Sequence, residues 1–170
     1  MVNAIEIRAL REEEIPAVSS LAREIWHAHY PGIISVAQIE YMLNERYAEA
    51  VIREELRRGD LWWDVLLVDG VMTGYTSCYL SGVPGEMKID KLYLHPRAQR
   101  QGHGGKLIDH VAQRMTALGG RRMTLAVNRR NKSAIAAYHK QGFRIADTSL
   151  KQIGGGFWMD DYIMVKRVNE

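Results

Sequence analysis

The part of the chain that most constrains its fold is residues 87–118, where a strand, a glycine-rich turn and a helix follow one another. Branched and aromatic residues predict a strand over 88–94, which His95-Pro96 ends. Apolar residues at helical spacing predict a helix over 107–118, which Gly119-Gly120 stops. The glycine turn therefore leads directly into a helix N-terminus.

The turn itself, residues 99–106, has the composition of an anion-binding site. Amides at a helix N-terminus are free to donate hydrogen bonds, the helix dipole favours negative charge, and glycines let a phosphate approach closely. Arg100 and Lys106 add positive charge. Neither common phosphate fingerprint fits. A P-loop needs glycine at Arg100 and Ser or Thr at Leu107, and a dinucleotide motif needs its third glycine at Leu107.

The order Gln99-x-x-Gly102-x-Gly104, after a strand ending in Leu-Tyr-Leu-His-Pro, resembles the acetyl-CoA signature of the GNAT superfamily of N-acetyltransferases. A second block, residues 125–143, resembles the same superfamily. It holds a strand, an Asn-led helix and the ending Tyr-x-x-x-Gly-Phe. The two blocks follow in the family's order, so the resemblance covers most of the chain.

The resemblance implies how acetyl-CoA is held. The strand offers backbone groups to the pantetheine arm and the thioester, and the turn wraps the pyrophosphate. Asn131 matches a cofactor contact but is also a good helix N-cap, and Lys140 either reaches the adenylate phosphate or is solvated at a helix end. The predicted cofactor-binding residues are Leu92, Tyr93, Leu94, Gln99, Arg100, Gln101, Gly102, His103, Gly104, Gly105, Lys106, Asn131 and Lys140.

Two side chains are predicted to be catalytic. Tyr138 matches the tyrosine that lies near the CoA sulfur and serves as general acid; the alternative is a packing aromatic. Asp90 is the candidate general base, on the same predicted strand face as Leu92 and Leu94, although the family's more usual acidic position is Lys88 here. The alternative for Asp90 is a surface charge paired with a neighbouring lysine.

Other reactive residue types favour direct transfer without a metal. Residues 26–30 end the first predicted helix, where the family builds its acceptor pocket, but His27-x-His29 lacks the further ligands of a metal site. Cys78 lies in an apolar strand pattern, so we expect a buried, inert thiol. Asp160 and Asp161 either attract a cationic amine or flank a turn.

Composition indicates an ordinary globular chain. Its 170 residues fit one domain spanning 1–170, and a net charge of +3 gives no reason to expect nucleic acid. One cysteine suits a reducing compartment, and no apolar run approaches the about 20 residues that span a bilayer, so we expect a cytoplasmic protein without a membrane partner. Family members are often dimers, and no residue decides for or against a homodimer.

The order of predicted elements gives the fold class. A hairpin over Leu61–Val68 and Val71–Leu80 turns at Asp69-Gly70, and helices are expected at 12–27, from Val36, and at about 48–58. Further elements are predicted at 4–9, 122–127, 131–140, 143–151 and 157–166. We predict an α/β fold of one domain: a GNAT-like mixed, mostly antiparallel central sheet with helices on both faces.

The leading function is an acetyl-CoA-dependent N-acetyltransferase that acetylates a primary amine of a small molecule or peptide directly. A non-catalytic acyl-CoA-binding or sensing module of the same fold is the alternative, and a nucleotide-dependent enzyme is a third. The last-strand pattern Asp-Tyr-Ile-Met-Val-Lys, with the helical N-terminal part, resembles the branch that acetylates polyamines and similar amines. The acceptor stays open.

Overall fold

A computed structural model describes residues 2–168, which form one seven-stranded sheet in the order β1-β2-β3-β4-β5-β7-β6. The strands are β1 (Ile5–Ala9), β2 (Leu61–Val68), β3 (Val71–Leu80), β4 (Glu86–Leu94), β5 (Arg122–Asn128), β6 (Arg144–Gly154) and β7 (Phe157–Arg167). The helices are α1 (Ile15–His29), α2 (Val36–Tyr47), α3 (Glu49–Leu56), α4 (His103–Ala117) and α5 (Lys132–Lys140). Only β4 and β5 pair in parallel; the other neighbours are antiparallel. The predicted fold class is confirmed.

Helices cover both faces of the sheet and give it two cores. On one face, α1, α2 and α3 pack on β2 and β3 around the fully buried Trp26, Tyr47 and Trp63. On the other, α4 packs on β4 and β5 around Met87 and Ile108, with α5 against its edge. Each β-strand alternates its side chains between these two cores, which is why the central strands are apolar on both sides.

A buried ion pair joins α4 to β2. The Asp64 carboxylate is 1% exposed and lies 2.6 and 3.0 Å from the two terminal nitrogens of Arg114, while His110 Nε2 is 3.2 Å away. Burial alone would raise the pKa of Asp64, but hydrogen bonds from His110 and Arg114 outweigh it and lower the pKa. Cys78, behind this pair, is fully buried, and burial raises the pKa of its thiol to about 11.

A serine side chain caps the start of α2. Ser35 Oγ accepts a hydrogen bond from the Gln38 backbone N–H at 3.1 Å, as an N-cap serine does. The Gln38 side chain does not return the bond, because its Nε2 donates to the Trp158 carbonyl 2.9 Å away. Together with Tyr41, whose hydroxyl donates to the Ile153 carbonyl, it ties α2 to the hairpin of β6 and β7.

The edge strand β6 pairs only with β7 and is exposed along most of its length. Its register shifts twice, between Ile145 and Asp147 and between Gln152 and Gly154. The sequence predicted that this strand ends at Lys151, but the strand continues to the turn at Gly154. Within residues 2–168, none of the helices combines the length and apolar character that crossing a membrane requires.

Candidate active site

The central feature of the site is a cleft that opens because β4 and β5 separate. They pair only from Glu86 to Ile89 on β4, and no further pairing joins the two strands as described. At this point β4 also bulges: Ile89 pairs with Cys78 and Lys91 with Ser77, which leaves Asp90 as an extra residue. The remaining β4 backbone, residues 91–94, therefore has one edge free to bind a ligand.

The cleft is large, about 1270 Å³, which exceeds the range of about 300–1,000 Å³ typical of small-molecule sites. The turn before α4 closes one end, and α2 with the β6–β7 hairpin closes the other. Eleven of the thirteen predicted cofactor-binding residues line it, namely Leu92, Tyr93, Leu94, Gln99, Arg100, Gly102, His103, Gly104, Gly105, Asn131 and Lys140. Gln101 and Lys106 do not.

The turn places backbone amides at the cleft. Arg100 and Gly102 adopt left-handed backbone conformations, with φ of 61° and 83°, and α4 starts at His103, four residues before the predicted helix. The first helical hydrogen bond runs from the Lys106 N–H to the Gly102 carbonyl, so the amides of residues 103–105 have no intrahelical acceptor. A side chain at Gly104 would project near Leu94, into the cleft.

Gln99 and Gln101 hold the turn rather than face the cleft with free amides. Gln99 Nε2 donates to the Leu94 carbonyl at 3.1 Å, which connects the turn to the end of β4. Gln101 Nε2 donates to the Arg97 carbonyl at 3.0 Å, and Lys106 lies on the opposite side of α4, near β1. Because α4 already starts at His103, Lys106 lies within the helix, on its side nearest β1.

Tyr138 enters the cleft from α5. Its ring packs against Phe143 at a centroid distance of 5.8 Å, and its hydroxyl has no hydrogen-bond partner in residues 2–168. Burial raises the pKa of the phenol, and Tyr93 adds to the shift. Tyr138 therefore combines the packing role and the cleft position that the sequence left as alternatives, and its phenol stays protonated at neutral pH.

Asn131 links the two sides of the cleft instead of capping α5 through its side chain. It occupies the N-cap position without a capping hydrogen bond, which corrects the predicted cap. Its Oδ1 lies 3.1 Å from His29 Nε2 at the end of α1. His27 pairs with Glu40 at 2.7 Å instead, so the two histidines do not converge, and no cluster in the described chain has the ligands to hold a metal.

Asp90 lines the cleft as part of a charged network. Arg46 Nη2 is 3.1 Å and Lys91 Nζ 2.6 Å from its carboxylate oxygens, and Lys91 also lies 3.8 Å from Glu55. Burial would raise the pKa of Asp90, but the charges of Arg46 and Lys91 outweigh it and hold the pKa well below its usual range. A carboxylate held ionised in this way is a poor proton acceptor, which weighs against the predicted general base.

The bulge also corrects the predicted face of Asp90. Strict alternation placed Asp90 with Leu92 and Leu94, but Leu92 packs in the core beneath α4 whereas Asp90 contacts Arg46 of α2. The extra residue shifts the side-chain order by one position, so that Lys91 rather than Asp90 lies over the rings of Trp63 and Tyr47.

Three aromatic residues meet in the cleft: Trp26 and Tyr30, from the segment predicted to form the acceptor pocket, and Tyr93 of β4. The Tyr30 and Tyr93 hydroxyls lie 2.8 Å apart, and the Trp26 ring lies 4.4 Å from that of Tyr30. Burial raises the pKa of both tyrosines, so both stay neutral donors. The sequence signal for this contact was weak, because the two tyrosines lie 63 positions apart and only folding brings them together.

Asp160 and Asp161, an undecided pair in the sequence, separate in the structure. Asp160 is exposed and lies 3.6 Å from Arg129. Asp161 is 2% exposed and lines the cleft, as does Met159 two residues earlier on β7. The alternating pattern of this strand puts the Asp161 carboxylate at an inward-facing position, so the sequence did contain a signal for it.

Comparisons with known proteins agree with this geometry. The family model described as Acetyltransferase (GNAT) family matches residues 19–143. A spermidine N(1)-acetyltransferase of Thermoplasma acidophilum is 29% identical over 149 residues, which cover 85% of this chain and 91% of that protein. An uncharacterized N-acetyltransferase of Mycobacterium tuberculosis is 31% identical over 100 residues, 59% of this chain and 63% of that one.

Solved structures share the whole architecture. The PaiA N-acetyltransferase of Thermoplasma acidophilum, crystallised in complex with coenzyme A, superposes with a TM-score of 0.86 at 27% identity and covers 97% of this chain and 99% of its own. A GCN5-related N-acetyltransferase of Rhodopseudomonas palustris has a TM-score of 0.82 at 22% identity, with 99% of each chain covered, and shows the same fold.

Proposed function

This chain belongs to the GNAT family of acetyltransferases, and we propose that it transfers an acetyl group from acetyl-CoA directly to a primary amine of a small molecule or peptide. One observation carries the proposal: a single cleft connects the glycine turn, the free edge of β4 and the Tyr138 hydroxyl. The continuous sheet with a core on each face supports treating residues 1–170 as one domain.

The turn end of the cleft suits the phosphates of the cofactor. The amides of residues 103–105 are available as donors, Gly104 leaves room for close approach, and Arg100 adds a positive charge at the opening. The relative of known structure holds coenzyme A, which supports the same ligand here. Lys140, on the last turn of α5, lines the same cleft and is proposed to meet a phosphate.

The middle of the cleft suits the reacting thioester. The free edge of β4, residues 92–94, supplies backbone groups for the pantetheine amides and for the carbonyl oxygen that becomes negative during attack. Tyr138 is proposed to donate a hydrogen bond and then its proton to the departing thiolate. Its raised pKa keeps the donor protonated, although it also makes the phenol a weaker acid. Cys78 is buried away from the cleft, so transfer without an acetyl-cysteine intermediate is favoured.

The far end of the cleft suits an amine acceptor. It is framed by α2 and the β6–β7 hairpin, and carboxylates of Glu45 and Asp161 line it together with Lys88 and Lys151. The Thermoplasma relative is a spermidine acetyltransferase, so spermidine is the first amine to assay. The two lysines would repel a second positive charge, which makes monoamines and peptide amines necessary members of the same panel.

Binding of the cofactor is tested by calorimetric titration with acetyl-CoA, CoA and ATP. We expect acetyl-CoA and CoA to bind wild type in the micromolar range, and Gly104→Glu to abolish this by placing a carboxylate in the phosphate site. An acid in the first turn of a helix is favourable for folding, so this variant should stay folded. Gly59→Glu is the matched control, because it adds the same charge at a glycine where a new Cβ atom would have no neighbour within 4 Å. Failure of both CoA species to bind wild type would refute the proposal.

The role of Tyr138 is tested by Tyr138→Phe, assayed by thiol release with the amine panel. Loss of a positioned proton donor should lower kcat about 100-fold, while acetyl-CoA affinity stays within about twofold. The ring contact with Phe143 is kept in this variant, so a packing role alone would leave kcat unchanged. Unchanged kcat would therefore remove Tyr138 from the mechanism.

A further inference from the structure

One carboxylate in the cleft is buried without a partner. Asp161, on β7, is 2% exposed, and within the described part of the chain it forms neither a side-chain hydrogen bond nor an ion pair. Within residues 2–168 the other buried carboxylate is Asp64, which is paired with Arg114. Its carboxylate oxygens are not fully enclosed by protein, so a cationic ligand in the cleft can reach and pair with them.

The position of Asp161 separates it from the cofactor end. Residues two apart on a strand share a face, and Met159 packs with the core beneath α1 and α2. Asp161 therefore faces the α2 side of the cleft, away from the turn before α4. Lys151, Arg46 and Lys88 interact electrostatically with Asp161 and line the same cleft, which agrees with a position at the acceptor end.

We propose that Asp161 binds the ammonium group of the acceptor and accepts its proton, which makes it a catalytic residue for amines that are protonated in solution. This inference rests on the proposed acetyltransferase function and assigns a proton acceptor other than Asp90, whose lowered pKa weighs against that role. A primary amine has a pKa of about 10.4, so at neutral pH it arrives charged and cannot attack until a proton leaves. The ammonium supplies the partner that the buried carboxylate lacks.

The proposed step balances as follows. Asp161 takes one proton from the ammonium, and the nitrogen lone pair then attacks the thioester carbonyl carbon. The C–N bond forms, the C–S bond breaks, and its electron pair leaves on sulfur. Tyr138 gives its proton to the thiolate and recovers one from the nitrogen as the amide forms. Asp161 releases its proton to water, so the products are the acetamide, CoA thiol and one proton.

The charges around Asp161 support a proton acceptor. Burial raises the pKa of its carboxyl to about 6, although Lys151 of β6, Arg46 of α2 and Lys88 of β4 lower it and Asp160 raises it further. A pKa of about 6 keeps the group ionised at neutral pH while making it a stronger base than a solvated aspartate. Further titratable side chains that line the cleft include Glu45 and Tyr41 of α2, His29 of α1 and Asp90 of β4.

The test compares Asp161→Asn with Asp160→Asn, which removes the neighbouring charge on the exposed face. With the best acceptor of the amine panel, kcat/KM should fall about 100-fold in Asp161→Asn and stay within about twofold in Asp160→Asn. Acetyl-CoA affinity should be unchanged in both variants. Asp161→Ser, a smaller neutral side chain, should reproduce the loss and guards against an effect of the amide group.

The pH profile distinguishes a proton acceptor from a structural residue. Wild-type kcat/KM should fall as pH decreases through about 6, because Asp161 becomes protonated. In Asp161→Asn that limb should disappear, and kcat/KM should rise tenfold per pH unit toward the pKa of the amine itself, about 10.4, because only the neutral amine then reacts. A profile in Asp161→Asn that keeps the wild-type limb would overturn the proposal.

The experiment also separates this inference from the proposed function. If wild type acetylates an amine but Asp161→Asn has the same kcat/KM, the function stands and the role of Asp161 is wrong. If wild type binds CoA but acetylates none of the amines, the function fails, and spermidine titrated into the CoA complex still tests the site. Equal spermidine affinity in wild type and Asp161→Asn would then refute ammonium binding as well.

Discussion

Replacing Asp90 with asparagine tests whether this residue holds the fold or moves a proton. The change removes the anion shared by Arg46 and Lys91 while keeping the side-chain volume. Breaking a buried ion pair by removing one partner costs about 3–5 kcal/mol, because the other charge stays buried. The side chains of Asp90 and Arg46 are each 25% exposed, so solvent reduces part of this cost. The Lys91 side chain is only 2% exposed, and Glu55, 3.8 Å away, would be its remaining carboxylate partner. We expect a loss of about 3 kcal/mol in the free energy of unfolding.

Urea and thermal denaturation measure this loss. In a chain of this size 1 kcal/mol corresponds to about 2–4 °C, so Tm should fall by about 6–12 °C. Because the folded pKa of Asp90 is lowered, its ionised form stabilises the protein above the unfolded pKa of about 3.9, and that contribution is lost as pH falls through the folded pKa. The stability difference between wild type and Asp90→Asn should therefore be full at pH 7 and shrink below about pH 4.

The control is Asp109→Asn, which removes an exposed carboxylate on α4 and should change stability by less than about 0.5 kcal/mol. Kinetics complete the comparison, since a folded Asp90→Asn protein should keep the acidic limb of its pH profile. A variant with wild-type stability that loses this limb would show that the ion-pair argument is wrong and that Asp90 is the general base, as its sequence position suggested.

Two further predictions concern stability. Ser35→Ala should destabilise the protein by about 1 kcal/mol in urea denaturation, because the Gln38 N–H loses its acceptor at the start of α2. Ser133→Ala, an exposed change on α5, is the comparison. Equal losses of stability in the two variants would contradict a capping role for Ser35. Arg114→Met should destabilise the protein by about 3–5 kcal/mol, because Asp64 stays buried with only His110 beside it. Adding Asp64→Asn should recover part of that loss. A double variant less stable than Arg114→Met would refute the ion-pair account.

Local signals predicted much of this fold. The hairpin of β2 and β3 has the predicted bounds, because Asp69-Gly70 adopts φ of 51° and 79° and such a turn specifies its own register. The helix over α4 and the glycine turn before it were likewise readable, since spacing and glycine content are properties of a short stretch. Where the turn ended was less predictable, because the first helical turn contains His103 and two glycines, which are poor helix formers.

The parts of the site that escaped prediction depend on contacts between distant segments. Asp90 was given a face by strict alternation, but the bulge that moves it is decided by how β3 pairs with β4. Its partner Arg46 lies 44 positions away, and nothing in the local pattern of α2 connects the two. Asn131 had the right type and place for a cap, yet His29, 102 positions earlier, holds its side-chain oxygen.

The exposed edge strand β6 has a consequence for how the protein behaves at high concentration. A long free edge offers unpaired backbone groups to any other strand, and two copies meeting there would join their sheets into one. The two register shifts twist this edge at both ends, and Arg144, Asp147 and Lys151 place charge along it. Such features hinder edge-to-edge association, so neutralising Arg144 and Asp147, which lie outside the cleft, would favour aggregation without altering the cleft.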